Sequence, residues 1–155
     1  MTFELKYDTL MNTIKEEISR EGAQAYSEDG ASLYDAIKWL SRDDDKSRRI
    51  MAEVLTLIKE QCNRFICCAE MTTATGKTEY TILEFTLETT QRRVSGREES
   101  IKTMLRSLTV NLFLHKYFVA KNQTELATKY DGLAAADIKS LTNILYTKQP
   151  PVYPA

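Results

Sequence analysis

The spacing of apolar residues changes from a helical period to a strand period and back again along the chain. Four apolar residues recur near the start at intervals of one, three and four positions: Leu10, Met11, Ile14 and Ile18. This spacing predicts an amphipathic helix over about residues 8–20. Near residue 80 the period becomes two, and after about residue 98 it returns to the helical value. The pattern therefore predicts helices on both sides of a short β segment.

Two further helices are predicted before the strands. Ser32 with Asp35 three residues later resembles a capping box and predicts a short helix over residues 33–40, which Trp39 is expected to anchor. A wide apolar stripe then predicts a long helix over about residues 46–66. Residues 3–7 alternate in polarity, so a short strand and the start of a helix both stay open for them.

Residues 79–89 predict a strand with one buried face. The odd positions are expected to share that face: Thr81, Leu83, Phe85 and Leu87. An isolated strand cannot satisfy its backbone, so residues 67–73 are expected to pair with it as a hairpin, with a connection over residues 74–77. A hairpin presents an edge to solvent, and residues 71–93 are therefore expected to serve in self-association.

The second half of the chain predicts two more helical stretches. Ser95 and Glu98 resemble another capping signature before a long helix. Its stripe consists of Ile101, Leu105, Leu108, Leu112 and Val119. Further apolar residues within residues 110–119 lie off this stripe. They indicate that this half of the helix is packed against other elements on several sides and lies at the centre of the fold. A final helical stretch over residues 124–145 is expected to break at Asp131-Gly132.

These elements predict a mainly α (α+β) fold, a bundle of about four to five helices with one inserted β-hairpin near residues 67–90. A chain of 155 residues buries enough surface for one stable domain. We assign residues 1–147 to that domain. Residues 148–155 contain three prolines, which cannot continue a helix, and are expected to form an extended tail.

Charge and cysteine content exclude several classes of function. A formal net charge of −1 gives no global positive field, so neither non-specific nor sequence-specific nucleic-acid binding is expected. The start of the chain lacks a secretory signal pattern. The three cysteines, of which Cys67 and Cys68 are adjacent, make a poor disulfide framework and favour a reducing cytoplasm. The longest apolar stretch, residues 109–120, is too short to span a membrane.

Motifs that suggest chemistry have simpler structural explanations. Gly76-Lys-Thr78 ends like a phosphate-binding loop, but Met71 stands where the opening glycine is needed, and a strand rather than a helix is expected to follow. The acidic run of residues 43–45 is interpreted as helix capping rather than a metal site. We therefore predict no catalytic residue, no metal, no cofactor and no small-molecule substrate.

Thiols and the single histidine do not make a recognisable site either. Cys62, Cys67 and Cys68 lack the spacing of zinc ligands and are interpreted as small buried apolar residues. His115 lies on an apolar helical face and is interpreted as a packed, hydrogen-bonded residue.

The candidate interface residues come from two segments. Arg92, Arg93 and Arg97 form the densest basic cluster, which suits an acidic protein surface or phosphates if it is not simply a solvated connector. The tail adds Pro150, Pro151 and Tyr153, because a proline-stiffened segment loses little entropy when it docks on a partner. A frayed terminus explains the tail equally well.

The order of the predicted elements and the ending Ile144-Leu-Tyr-Thr-Lys-Gln-Pro-Pro151 resemble the small head-tail connector and head-completion proteins of tailed phages and prophages. The resemblance covers most of the chain at the level of size and architecture. It implies a non-catalytic virion component that forms a ring and contacts the portal and tail-side proteins. Its location would be the virion or the cytoplasm of the host cell. No residue-level site is carried over.

Two other classes of protein stay open. A cytoplasmic helical adaptor or regulatory protein would use the same amphipathic faces on one protein partner and would be monomeric or dimeric alone. An enzyme is disfavoured by the single histidine, the lack of a glycine-rich loop and the lack of metal-ligand spacing.

Overall fold

A computed structural model describes residues 1–26, 30–74, 80–88 and 96–146. The described chain is mainly helical with a small antiparallel sheet, which confirms the expected α+β class. Its elements in chain order are β1 (Thr2–Lys6), α1 (Tyr7–Gln24), α2 (Tyr34–Ile37), α3 (Ser41–Gln61), β2 (Ile66–Ala74), β3 (Tyr80–Leu87), α4 (Glu98–Ala120) and α5 (Thr124–Tyr146).

The sheet contains three described strands in the order β1-β3-β2. The predicted hairpin is confirmed, because β2 pairs antiparallel with β3. The first residues of the chain form a strand up to Lys6, and α1 begins at the next residue. β1 pairs antiparallel with the other side of β3, so that Phe3 lies opposite Phe85 and Leu5 lies opposite Leu83. All four of these side chains are buried, so one face of the sheet belongs to the core.

The core is built around α4. The predicted stripe of α1 is confirmed, since all four of its apolar residues are buried. Most of the predicted stripe of α4 is buried as well, but Val119 is 55% exposed, and its assignment to the core was wrong. In the last turns of α4 the buried face moves to Phe113 and Tyr117, because the ring of Trp39 stacks on both. This arrangement confirms the expected anchoring by Trp39.

The boundaries of α2 and α3 differ from the sequence prediction. α2 ends at Ile37, and Asp35 pairs with Lys38 at 3.1 Å instead of closing a capping box, while Ser32 Oγ accepts a hydrogen bond from the Tyr34 N–H. α3 starts at residue 41 and ends at residue 61, not near residue 66. The chain then turns, because the N–H groups of residues 65 and 66 both bond to the Cys62 carbonyl. Ile66 is thereby placed in β2.

α5 continues through Asp131-Gly132 without the predicted break. The space around the Gly132 Cα is open, and both residues lie on the exposed side of the helix. α5 packs along α4 on its other side, where Ala127, Tyr130 and Ala134 are buried. Packing of an apolar face stabilises a helix more than one glycine weakens it, so the helix persists.

A left-handed residue connects α4 to α5. Asn122 has φ 57°, its N–H bonds to the Val119 carbonyl, and the Gln123 N–H bonds to the Phe118 carbonyl. These two bonds form a Schellman motif, in which asparagine is the usual substitute for glycine. The motif ends α4 and reverses the chain, so that α5 can pack antiparallel to it.

Candidate interaction surface

Of the six predicted interface residues, the described part of the chain includes only Arg97. Its Nη1 donates a hydrogen bond of 2.8 Å to the Ile144 carbonyl, which ties the start of α4 to the end of α5. The others, Arg92, Arg93, Pro150, Pro151 and Tyr153, lie outside the described residues. Arg97 thus has an internal role, and the prediction of an interface at the remaining residues stays a prediction.

The acidic run at the start of α3 joins helices together. Asp43 Oδ2 accepts a hydrogen bond of 2.7 Å from the Leu40 N–H and lies 3.0 Å from Lys121 Nζ. Asp44 Oδ1 accepts a hydrogen bond of 2.8 Å from Trp39 Nε1 and lies 3.3 Å from Lys15 Nζ. The Trp39 and Lys15 hydrogen bonds lower the pKa of Asp44. The capping interpretation is confirmed for Asp43.

A second polar cluster connects α1 to α5. Glu21 is buried and accepts hydrogen bonds from Lys129 Nζ at 2.5 Å and from the Tyr130 hydroxyl at 2.8 Å. Burial by itself raises the pKa of Glu21, but these two hydrogen bonds and the charges of Lys129 and Arg20 outweigh it and lower the pKa. Burial and the bond to Glu21 raise the pKa of Tyr130. The cluster is a structural link between the two helices.

The thiols and the histidine are separate features. His115 Nδ1 is 2.8 Å from the Ala127 carbonyl, which confirms its interpretation as a packed, hydrogen-bonded residue. Cys62 is buried, and burial raises its pKa to about 11. Cys67 is exposed, so its interpretation as a buried apolar residue was wrong. The reason is a bulge at Cys67, because this one residue lies between Ile66 and Cys68 while their partners on β3 are adjacent.

Within the described ranges, no group of three or more His, Cys, Asp or Glu side chains is arranged to hold a metal ion. Among the helices in this part of the chain, none has both the length and the apolar content required to cross a bilayer.

A groove of about 450 Å³ lies between α1, α4 and α5. Its apolar floor includes Val110, Leu114 and Leu133. On one wall, Asp137 Oδ2 accepts hydrogen bonds of 2.8 Å from the Ser107 hydroxyl and 2.7 Å from Asn111 Nδ2. Both donors belong to α4 and the carboxylate belongs to α5, so these three side chains hold the two helices together.

Another groove separates β1 from the first turns of α4. It consists of two adjoining cavities of about 330 and 420 Å³, which share Glu4 and Lys102. One helix face borders the groove, because its residues are spaced by about one turn: Glu98, Lys102 and Arg106. At the C-terminal end of β1, the floor of the groove is apolar and consists of Leu5, Leu10 and Ile82. We refer to this feature as the β1–α4 groove.

The strand side of this groove carries unpaired backbone groups. Met1 and Leu87 exchange both backbone hydrogen bonds, at 2.8 and 3.1 Å. In an antiparallel ladder the bonded pairs alternate, so Phe3 and Leu5 also point their backbone groups at β3, while those of Thr2 and Glu4 point away from it. In the part of the chain that the structure describes, no backbone group of these two residues has a partner on that outer side.

The other edge of the sheet is open in the same sense. The backbone N–H and C=O groups of β3 that point away from β1 bond to Cys68, Glu70 and Thr72 of β2. The backbone groups of the alternate β2 residues, Ala69, Met71 and Thr73, therefore point away from β3. These groups have no backbone partner among the described residues. An open hairpin edge was predicted here from the sequence. The open edge at β1 was not predicted, although the alternation of Phe3, Leu5 and Tyr7 was a signal for it.

Comparison with known proteins gives no relative: no family model matches the chain, and no curated protein and no solved structure is significantly similar to it.

Proposed function

We propose that the chain is a non-catalytic structural protein of a phage or prophage particle, a head-tail connector that assembles as a ring at the portal. The observation that supports this proposal best is the three-stranded sheet, in which the outer edges of β1 and β2 are both open. A subunit of a ring needs two different contact surfaces, since it touches one neighbour on each side. Two separate edges supply surfaces of that kind.

The polar clusters of the described residues also favour a structural role. The carboxylates of Asp43, Glu21 and Asp137 each bond to a side chain or backbone group of another helix or turn. His115 bonds to a carbonyl of α5. A catalytic constellation needs polar groups that converge on a substrate, whereas these groups converge on one another.

Edge pairing is tested by substitution on β2. The N–H of Thr73 points outward, so Thr73→Pro removes an edge donor and leaves the ladder to β3 intact. We expect the parent chain to form a closed oligomer by native mass spectrometry and electron microscopy at high concentration. Thr73→Pro should lower the oligomer fraction, and the control Thr73→Ser should not. A chain that stays monomeric alone and with a co-expressed portal protein contradicts the proposal.

The gene neighbourhood provides an independent test of the phage assignment. Portal and capsid genes next to this gene would support it, and their absence from every neighbourhood that contains the gene would contradict it.

A cytoplasmic helical adaptor is the second candidate. The groove between α1, α4 and α5 favours it, because an apolar floor within a polar rim suits a single partner segment. An adaptor stays monomeric or dimeric at all concentrations, and Leu133→Glu in that groove would abolish partner capture without changing the oligomeric state. Leu133 is 43% exposed, so this substitution does not disturb the core.

A further inference from the structure

We propose that the β1–α4 groove binds an extended segment of a partner protein, which adds to β1 as a fourth strand and carries one acidic and one basic side chain four residues apart. This inference goes beyond the proposed function, because the groove would accept such a segment from a virion protein or from any other partner.

The backbone of β1 supplies the template. The N–H and C=O groups of Thr2 and Glu4 and the N–H of Lys6 point away from β3, toward the groove. A strand added here would bond to these groups, as extended peptides do at other exposed sheet edges. Phe3 and Leu5 face the core, so the incoming strand would extend a sheet that is already held in place on one face.

The facing helix α4 forms the second wall of the site. Lys102 lines both cavities, with Glu98 and Glu99 at one end and Arg106 at the other. Cavities of about 330 and 420 Å³ are within the range of about 300–1,000 Å³ that is typical of ligand clefts. A single extended segment is the occupant that we assign, because it needs only the outward backbone groups of β1 and the charged face of α4.

Charge selects the chemistry of that segment. Lys102 and Arg106 form no ion pair with another described residue. At the same end, Lys6 Nζ lies 5.3 Å from the centre of the Tyr80 ring. This end of the groove therefore complements a carboxylate. Glu98 and Glu99 form no ion pair with a described residue either. They complement a cation at the other end, where the Met1 ammonium already donates to the Leu87 carbonyl.

The distance between the two ends fixes the spacing of the charges. From Glu98 to Arg106 the helix rises about 12 Å, since each residue adds about 1.5 Å. A strand covers about 13 Å in four residues. An acidic and a basic side chain at positions i and i+4 of a strand share one face and therefore reach the two ends together.

Three peptides test the proposal directly. The probes are acetylated, amidated heptapeptides, Thr-Glu-Val-Thr-Val-Lys-Thr and the charge-reversed Thr-Lys-Val-Thr-Val-Glu-Thr, with a neutral peptide in which Gln replaces both charged residues. We expect one charge order to bind with a Kd at or below about 1 mM. We expect the other order and the neutral peptide to bind at least about fivefold more weakly, which corresponds to about 1 kcal/mol. If none of the three peptides binds, the proposal is overturned.

Amide exchange locates the bound peptide. In the free protein the N–H groups of Thr2, Glu4 and Lys6 should exchange faster than those of Phe3 and Leu5, which bond to β3. Peptide binding should slow the three outward amides and leave the two inward amides unchanged. Binding that does not protect the outward amides would place the peptide elsewhere and overturn the proposal.

Substitutions separate the backbone contact from the charges. Glu4→Pro removes an outward donor while the bonds of β1 to β3 remain, so it should abolish binding, whereas Glu4→Gln keeps the N–H and should retain it. Lys102→Glu should weaken binding about tenfold and shift the preference toward a peptide with lysine at that end. Lys139→Glu, an exposed lysine on α5, is the matched control and should bind as the parent does. Unchanged binding by Lys102→Glu would overturn the assignment.

The same variants distinguish this inference from the proposed function. A monomeric chain that binds the peptides refutes ring assembly and leaves the groove assignment intact. Glu4→Pro could instead dissociate an oligomer of the chain that the peptides do not displace. In that case the occupant of the groove is a second copy of the chain, and the choice of a partner segment is wrong. If Glu4→Pro does not fold, amide exchange and Lys102→Glu still decide the question.

Discussion

Lys121 Nζ lies 3.0 Å from Asp43 Oδ2, and this contact joins the end of α4 to the beginning of α3 across 78 positions of sequence. Both side chains are only 11% exposed, so each charge depends on the other for compensation. The same carboxylate caps the backbone of Leu40 at 2.7 Å. One side chain therefore starts α3 and fixes α4 against it.

Substitution of Asp43 separates these two roles. Asp43→Ala removes the cap and leaves Lys121 without its partner, so the free energy of unfolding should fall by about 3–5 kcal/mol. Asp43→Asn keeps an acceptor for the Leu40 N–H and should lose less. Urea denaturation at pH 7 measures both changes. The double variant Asp43→Ala/Lys121→Met should lose less than the sum of the single variants, and full additivity would show that the two residues do not interact.

Because of the buried Glu21 carboxylate, we expect the free energy of unfolding to fall in acid. Its pKa in the folded protein is below the ordinary value of 4.5, so the ionised form stabilises the fold above that value. The contribution is lost as the pH falls below 4.5 through the folded pKa. Glu21→Gln should therefore be less stable than the parent at pH 7, and the difference should shrink toward pH 3. The exposed Glu125→Gln is the control, and a similar pH dependence of both variants would contradict this role for Glu21.

Gly132 is a site where alanine should stabilise the protein. It is exposed in the middle of α5, and an added Cβ would contact no atom of the described residues within 4 Å. Gly132→Ala should raise the free energy of unfolding by up to about 1 kcal/mol, because alanine is the better helix former. Gly22→Ala is the comparison in α1, where the new Cβ would lie 3.2 Å from Tyr34 Cδ2. Thermal denaturation should show a gain for Gly132→Ala and a smaller gain or a loss for Gly22→Ala.

Asn122 is predicted to be sensitive to side-chain type. Its φ of 57° disfavours residues other than glycine, asparagine and aspartate. Asn122→Ala should lower the free energy of unfolding by about 1 kcal/mol, and Asn122→Gly should not lower it. Denaturant unfolding of the two variants measures this difference. Equal stability of both would show that the left-handed conformation is not needed for the connection of α4 to α5.

The three thiols should react with Ellman's reagent at different rates. Cys67 is exposed and should react first. Burial of Cys62 and its pKa of about 11 leave little accessible thiolate, so Cys62 should react only when the protein unfolds. Cys68 is partly buried, and burial together with the charge of Glu70 raises its pKa, so an intermediate rate is expected. Rapid labelling of Cys62→Ser and slow labelling of Cys67→Ser would confirm the order, and the reverse would contradict it.

Helix and strand types were predictable from the sequence because they depend on local spacing. Leu10, Ile14 and Ile18 recur on one helical face, and that face is buried. Leu83 and Phe85 recur at a strand spacing, and their face is buried too. The capping role of the acidic run and the packed state of His115 were also local inferences, since each depends on where the residue lies on a helix.

Tertiary contacts decided what local spacing cannot encode. Residues 3–7 fitted a strand or a helix until Phe3 paired with Phe85, which lies 82 positions away in the chain. α5 passes through Gly132 because its packing against α4 outweighs a weak local propensity, and Val119 is exposed because the rings around Trp39 turn the buried face of α4. The β1–α4 groove arises only when two distant segments fold side by side. Periodicity determines which face of an element is apolar, whereas the partner of that face depends on the free energy of the whole packed chain.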